Sequence, residues 1–230
     1  MKNKFSSKLK LTLAIALSVL LINGCKDSAV QQNTENMDFS VTSNTQTAAR
    51  GMLLEIDLVK VLVKDIKLNV AASNENMVNF KTGPYVLYLD FTSNVTVVST
   101  GYVPAGSYDR VKFEIHKLGD NESPPDPEFV DAQGRYSVIV KGRVNGVMFT
   151  FKSSMSSHQI VSFPSSLVVT ADGKSNITLE AKPYMWFIQD GVFLDPLNEI
   201  NRTAIELNIK NNINNNIRVF VDNDKNGQPD

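Results

Sequence analysis

The sequence has little of what most enzymes and metalloproteins use for chemistry. Among its 230 residues there are one cysteine, Cys25, and two histidines, His116 and His158. A lone cysteine excludes an intrachain disulfide and a multi-cysteine metal site, so the fold must be held by packing. The histidines lie on separate predicted elements without metal-ligand spacing, and no G-x-S-x-G motif marks a serine nucleophile. We therefore expect a protein that is not an enzyme, although a triad assembled from distant residues leaves no local pattern.

Neither sign of charge dominates the chain. There are 23 basic and 24 acidic residues, and removing residues 1–24 takes away four lysines and leaves a net charge of −5. A protein that binds nucleic acid needs a basic face to meet the phosphates. We therefore expect no nucleic-acid partner.

The one long apolar run lies near the N-terminus, from Leu11 to Ile22, after four lysines. It is too short to cross a bilayer, which takes about 20 residues. A basic start, a short apolar segment and small residues before a cut predict a signal peptide over residues 1–24. Residues 21–25, Leu-Ile-Asn-Gly-Cys, resemble the lipobox of bacterial lipoproteins. An ordinary signal peptide with a chance cysteine is the alternative.

The lipobox resemblance implies that Cys25 becomes the first residue of the mature protein and carries acyl chains such as palmitate. The membrane is then a partner through Cys25, and the expected location is the bacterial envelope, on the periplasmic or surface-exposed face of the outer membrane. An acylated Cys25 leaves no thiol for catalysis. Lys26-Asp27 resembles a surface-export signal of one group of Gram-negative bacteria, and an ordinary solvated charge pair is the alternative.

Residues 25–51 are rich in Gln, Asn, Thr and Ser and hold few large apolar residues. Such a segment has too little apolar surface to offset the entropy of ordering. We therefore expect a flexible tether over 25–51 and a folded domain from residue 52.

Alternating apolar and polar residues dominate residues 52–182. The clearest case is Val111, Phe113 and Ile115, which alternate with charged residues. The apolar phase slips between residues 56 and 70, which predicts bulges or a turn. Asn145-Gly146 and Asp172-Gly173, each between two apolar segments, predict hairpin turns. The pattern indicates an antiparallel β-sandwich of the immunoglobulin-like or transthyretin-like kind, with a barrel as the alternative.

Residues 83–108 resemble a family of uncharacterised bacterial envelope lipoproteins with a β-sandwich domain. The resemblance rests on Gly83-Pro84-Tyr85 and on residues 103–108, Val-Pro-Ala-Gly-Ser-Tyr. It implies the fold and says almost nothing of function.

Residues 183–230 form a predicted C-terminal extension. Thr203 to Glu206 has the spacing of a capping box, which predicts a short helix from about Thr203 to Asn212. Beyond it the asparagine-rich sequence either continues the helix or gives way to a strand, Ile217 to Val221.

The last nine residues resemble the first three-quarters of an EF-hand calcium loop. Calcium takes six to eight oxygen ligands, and a glycine permits the sharp turn of the loop. The resemblance assigns side-chain oxygens to Asp222, Asp224 and Asn226, the backbone carbonyl to Gln228, and an oxygen to Asp230. The chain ends before position twelve, where the bidentate glutamate belongs. An acidic chain end without an ion is the alternative.

Together these observations predict a membrane-anchored envelope lipoprotein that acts as a ligand-binding or structural module, with calcium as the one possible cofactor. Its partner would be a small ligand, a glycan or another envelope protein. An envelope hydrolase with a site on the sandwich-edge loops and a metal-handling protein that uses His116 and His158 are the alternatives. The position of Trp186 shows whether its ring can bind a partner. An exposed ring suits sugar stacking or a protein interface, and a buried ring belongs to the core.

Overall fold

A computed structural model describes residues 34–43, 54–72, 76–89, 91, 95–211 and 217–230. The predicted signal peptide, the lipobox with Cys25, and the pair Lys26-Asp27 lie outside the described residues. None of the helices within these ranges is both long and apolar enough to cross a membrane.

The described part of the chain is mainly β. Its strands are β1 (Met37–Ser43), β2 (Leu54–Val70), β3 (Met77–Leu89), β4 (Thr96–Gly101), β5 (Gly106–Ile115), β6 (Val130–Asp131), β7 (Gly134–Arg135), β8 (Val138–Val144), β9 (Val147–Ser153), β10 (Ser157–Val169), β11 (Ser175–Ala181), β12 (Ile188–Gln189), β13 (Val192–Phe193) and β14 (Ile217–Val221). The α-helix α1 spans Arg202–Asn211, and three short 3₁₀ helices span Pro127–Phe129, Pro183–Phe187 and Glu199–Asn201.

The larger strands form two sheets, and the predicted β-sandwich is confirmed. One sheet has four strands in the order β14-β11-β1-β4, and the other has six, in the order β10-β5-β2-β8-β9 with β3 also paired to β2. The sheets do not close into the alternative barrel. Among the strands of the described ranges, β1 pairs with β11 in parallel and the other pairs are antiparallel. Local patterning did not predict this pair, because its strands are more than 130 residues apart in the chain.

The long strand β2 organises the six-stranded sheet. It pairs with β3 along one edge and with β8 and then β5 along the other. The register shifts after Ile56 and after Val63, so the predicted phase slips are bulges within one strand. At the first bulge Gly142 of β8 lies against the backbone carbonyl of Glu55, a contact that leaves no room for a side chain.

The main core lies between the two sheets. Alternate residues of β1, β2, β5, β8, β11 and β14 point inward, among them Phe39, Val63, Phe113 and Ile177, all nearly inaccessible. Trp186 is 2% exposed and belongs to this core. Its ring is therefore not available to stack against a sugar.

The outer face of the six-stranded sheet is covered by residues 117–136. Leu62 and Ile139 alternate with core residues, so they point away from the main core, and they meet Leu118, Phe129 and Tyr136 in a second apolar cluster. Beside this cluster Lys60, 8% exposed, donates to Asp126 Oδ2 at 2.6 Å. The covering segment itself contains Pro124, Pro125 and Pro127, and the last of these begins the 3₁₀ helix Pro127–Phe129.

The boundary predicted for the tether is wrong. Residues 37–43, placed in the tether, form β1, which is buried between β11 and β4. Met37, Phe39 and Val41 alternate toward the core, and the polar residues between them are buried because they have polar partners. Because residues 25–51 are mostly polar, their composition did not reveal the seven-residue strand β1.

One of the two predicted hairpins is confirmed. Asn145 and Gly146 have φ of 49° and 83° and connect β8 to β9, as a tight hairpin turn requires. Asp172-Gly173 is not a hairpin turn, because β10 belongs to the six-stranded sheet and β11 to the four-stranded sheet. A side chain at Gly173 would collide with the hydroxyl of Thr170, so the glycine there serves close packing.

The C-terminal extension is not separate from the sandwich. The predicted helix is α1, and the strand alternative beyond it is confirmed as β14, which pairs with β11 at the edge of the four-stranded sheet. The predicted capping box at Thr203 does not begin the helical segment. Asn198 caps the preceding 3₁₀ turn by accepting from the Ile200 amide at 3.1 Å.

Candidate metal centre

The C-terminal loop, residues 222–230, begins where β14 ends. β14 is positioned by its register with β11, in which Val221 lies opposite Ile177. The Asp222 amide donates to the Asn176 carbonyl at 3.1 Å, and the Asp230 amide donates to the Val221 carbonyl at 3.1 Å. Both ends of the loop are thus attached to the sheet edge.

The loop folds around the Asp222 carboxylate, which is fully buried. Its Oδ1 accepts from the Asn226 amide at 2.9 Å, and its Oδ2 accepts from the Gly227 amide at 3.1 Å. Gly227 has φ of 80°, a conformation that glycine adopts without strain. The predicted role of this glycine, to permit the sharp turn, is confirmed.

A polar network on the outer face of the four-stranded sheet holds Asp222 in place through hydrogen bonds. Thr178 Oγ1 donates to Asp222 Oδ2 at 2.7 Å, and Asn176 Nδ2 donates to the Asp222 carbonyl at 2.7 Å. Ser40 Oγ in turn donates to Asn176 Oδ1 at 2.6 Å. All three supporting side chains are buried, so each needs the partners that the network supplies.

The structure brings together the three carboxylates among the five residues predicted to bind calcium. Ligand atoms of Asp222, Asp224 and Asp230 all lie within 4.8 Å of one another. Calcium–oxygen distances are about 2.3–2.6 Å, so ligands on opposite sides of an ion lie about 5 Å apart. The group therefore has the spacing and the hard oxygen donors of a cation site. Asp224 and Asp230 are exposed, which leaves the group open to solvent.

The predicted ligand Asn226 lies directly beside this acidic group, and Gln228 follows it in the same loop. Asn226 Nδ2 donates to Asp224 Oδ2 at 2.7 Å, and its Oδ1 accepts from the Gln228 amide at 2.7 Å. Asp230 Oδ2 accepts from the amide and the side chain of Asn223, at 2.9 and 2.7 Å. The described residues supply no fourth carboxylate to this group.

An ion pair that sequence reasoning missed joins the exposed Lys225 of the C-terminal loop to the buried Asp38 of β1. Lys225 Nζ donates to Asp38 Oδ2 at 2.7 Å, and Lys174 Nζ lies 3.2 Å from the same oxygen. Burial alone would raise the pKa of Asp38, but hydrogen bonds from Lys225, Thr100 and Lys174 outweigh it and hold that pKa below its ordinary value. No sequence signal links Lys225 to Asp38, because 187 residues separate them.

The two histidines do not join a metal-binding group within the described residues. His158 is largely exposed, and its Nδ1 lies 3.8 Å from Glu114 Oε2 on the neighbouring strand β5. His116 Nδ1 contacts the carbonyl of Lys117. The register that places His158 opposite Glu114 depends on pairing between β5 and β10, which the sequence pattern did not reveal.

Comparisons with known proteins leave the chain without an assigned family. No protein-family model and no curated protein matches the sequence. Among solved structures the chain is similar to MbnP from Methylosinus trichosporium, with 12% identity over 70% of this chain and 78% of that chain and a TM-score of 0.39. A likeness of this size carries no argument about the site or the function.

Proposed function

We propose that the chain is a lipid-anchored, non-catalytic module of a bacterial envelope whose C-terminal loop binds calcium. The observation that carries the calcium assignment is the convergence of Asp222, Asp224 and Asp230 within the diameter of one calcium coordination sphere. The partner of the module is another envelope protein or a small ligand. The buried position of Trp186 weighs against a glycan stacked on that ring.

Calcium would neutralise three carboxylates that repel one another across a few ångströms. Asp222 is already held by the sheet, so the ion would draw the exposed Asp224 and Asp230 onto a preformed base. The loop supplies fewer oxygens than the six to eight that calcium takes, so water completes the sphere. We expect a dissociation constant of about 10⁻⁴ to 10⁻³ M, the range of extracellular calcium modules.

Thermal unfolding tests the calcium assignment. A ligand present at 100 times its dissociation constant stabilises the folded state by about 2.7 kcal/mol. The wild type should therefore unfold at a higher temperature in excess calcium than in chelator, and Asp224→Asn should lose this difference. Asp172→Asn is the matched control, because Asp172 is exposed on the adjacent loop and lies outside the acidic group. Equal unfolding temperatures of the wild type in both buffers would overturn the assignment.

Lipid anchoring is tested independently at Cys25. We expect mass spectrometry to find acyl chains on Cys25 of the mature protein and fractionation to find the protein in membranes. Cys25→Ser should release the protein into the soluble fraction or leave it as unprocessed precursor. Unchanged processing and unchanged membrane partition in this variant would contradict the proposal.

A further inference from the structure

The domain begins at one end of the sandwich, and Asn36 ties the loops of that end together. Its side-chain amide donates to the carbonyls of Val103 and Thr170 at 2.9 and 3.4 Å, and its Oδ1 accepts from the Val103 amide at 2.8 Å. Its own amide donates to Gly101, and its carbonyl accepts from Ser175. Residue 36 therefore fixes where the chain enters the folded domain.

Three loops meet at this end, which we call the Asn36 end. They are residues 102–105 between β4 and β5, residues 170–174 between β10 and β11, and the C-terminal loop, which reaches β1 through Lys225. The end of β2 lies here too, because the Ala71 amide donates to Ser107 at the start of β5. All of these segments belong to the same end of the two sheets.

The opposite end is far from Asn36. β10 has 13 residues and β2 has 17, which at about 3.3 Å per residue give roughly 40 and 55 Å of strand. The far end of β10 meets α1, where Ser157 Oγ donates to the Lys210 carbonyl at 3.0 Å. The far end of β2 lies beside the β8–β9 hairpin, because Leu54 pairs with Val144.

We propose that the Asn36 end faces the lipid bilayer that holds Cys25, an inference that rests on the lipid anchoring proposed above. Only the eight residues 26–33 separate Cys25 from the first described residue, Thr34. Whatever conformation they adopt, this length of backbone spans at most about 30 Å. For the domain to stand on the bilayer by its opposite end, Thr34 would have to lie farther from the bilayer than the chain can reach, since the strands are longer than this connection.

The surface of the Asn36 end is mixed, because the exposed Asp172, Asp224 and Asp230 lie there beside uncharged residues, so the orientation rests first on the length of the connection. Tyr102 is 38% exposed, and the exposed Pro104, Ala105 and Ala171 are uncharged. Tyrosine favours the boundary between water and hydrocarbon because its ring is apolar and its hydroxyl is polar. Lys174, at the same end, has a side chain that is 60% exposed, and its Nζ is already paired with Asp38 Oδ2 at 3.2 Å.

Site-specific quenching on vesicles tests this orientation. The acylated Cys25 has no free thiol, so Ala105→Cys at the Asn36 end and Met148→Cys at the opposite end each give one labelling site. Both positions are exposed in the fold. The full-length lipidated variants are labelled with a fluorophore and reconstituted, in chelator, into vesicles of phosphatidylethanolamine and phosphatidylglycerol that carry nitroxide headgroups. We expect loss of fluorescence at position 105 and none at position 148.

A longer connection provides the matched control. Inserting about 20 Gly and Ser residues between Asn33 and Thr34 lengthens the maximum reach to roughly 95 Å, so the loss at position 105 should shrink. Equal quenching at both positions, or stronger quenching at position 148, overturns the proposed orientation. In that case, protein that still floats with the vesicles supports the lipid anchor. A wild-type protein that does not float with vesicles overturns the anchor itself, and the orientation with it.

Discussion

The two sheets share one core but close their outer faces in different ways. The six-stranded sheet buries Leu62 and Ile139 under a segment that contributes Phe129 to the apolar cluster and Asp126 to the ion pair with Lys60. The four-stranded sheet instead buries Ser40, Asn176 and Thr178 in a hydrogen-bonded network that leads to Asp222.

This difference indicates that the two outer faces have different roles, one in stability and the other in function. Apolar cover stabilises a fold without fixing the direction of a polar atom, since the hydrophobic effect is not directional. A buried polar network costs stability unless every member has a partner, and it holds those partners in one geometry. The network on the four-stranded sheet is aimed at one carboxylate of the acidic group. We therefore interpret the first face as structural and the second as the support of the candidate metal centre.

Truncating the apolar cover should have the largest effect on stability. Phe129 is fully buried, and Phe129→Ala should lower the free energy of unfolding by about 3–5 kcal/mol because it removes a large buried ring and leaves a cavity. Urea unfolding measures the loss. Met148→Ala is the control, because Met148 is 76% exposed and its truncation should change stability by at most about 0.5 kcal/mol. A loss below 1 kcal/mol at Phe129 would contradict the role assigned to the cover, since it would fall well short of the cost of a core truncation.

Removing one hydroxyl from the polar network should cost less stability but also weaken calcium binding. Thr178→Val keeps the shape and leaves Asp222 Oδ2 without one of its donors, at a cost of about 1–3 kcal/mol. Thr178→Ser keeps the hydroxyl and should retain most of the binding. If Thr178→Val binds calcium as well as the wild type does, the network is not the support that we infer.

Acid should destabilise the outer faces of both sheets. Protonation of any one carboxylate should lower the free energy of unfolding less than either substitution above. The hydrogen bond from Lys152 holds the pKa of Asp131 at about 2, and the one from Lys60 lowers the pKa of Asp126. On the other face the pKa of Asp38 is also lowered, since the lysine and threonine bonds outweigh the effect of burial. Because these pKa values lie below the unfolded value of about 3.9, the stabilisation is complete above about pH 5 and is lost progressively as the pH falls through the folded pKa values.

Unfolding temperatures measured between pH 5 and pH 2 check this sign. The temperature should fall steadily below pH 4, and Lys152→Met should raise the pKa of Asp131 toward its ordinary value in a carboxyl NMR titration. An Asp131 that titrates at the same pH in both proteins would show that Lys152 does not stabilise its charge.

The sequence predicted those parts of the molecule that local pattern controls. The alternation of β5, the Asn145-Gly146 turn and α1 are all patterns of fewer than a dozen residues, and all are confirmed, whereas β14 was one of two alternatives that the sequence left open. The parallel pair of β1 with β11 and the ion pair of Lys225 with Asp38 join residues more than 130 positions apart, which no local pattern encodes. β1 was missed because its polar residues are buried by partners supplied from elsewhere in the chain.

The same limit applies to the candidate metal centre. The spacing of Asp222, Asp224 and Asp230 was visible in the sequence, because the three residues lie within nine positions. The network that supports these ligands was not visible in the sequence. Its members Ser40, Asn176 and Thr178 reach the loop only through the pairing of β1, β11 and β14. A sequence therefore reveals a local set of ligands more readily than the surface that holds it.

Calorimetric titration of the mature protein with calcium tests the central claim most directly. The account predicts heat of binding with one site per chain and a dissociation constant of about 10⁻⁴ to 10⁻³ M. Asp224→Asn should weaken or abolish the binding, whereas Asp172→Asn should leave it unchanged. The absence of binding heat in the wild type at millimolar calcium, or equal binding by Asp224→Asn, would contradict the claim that this loop is a calcium site.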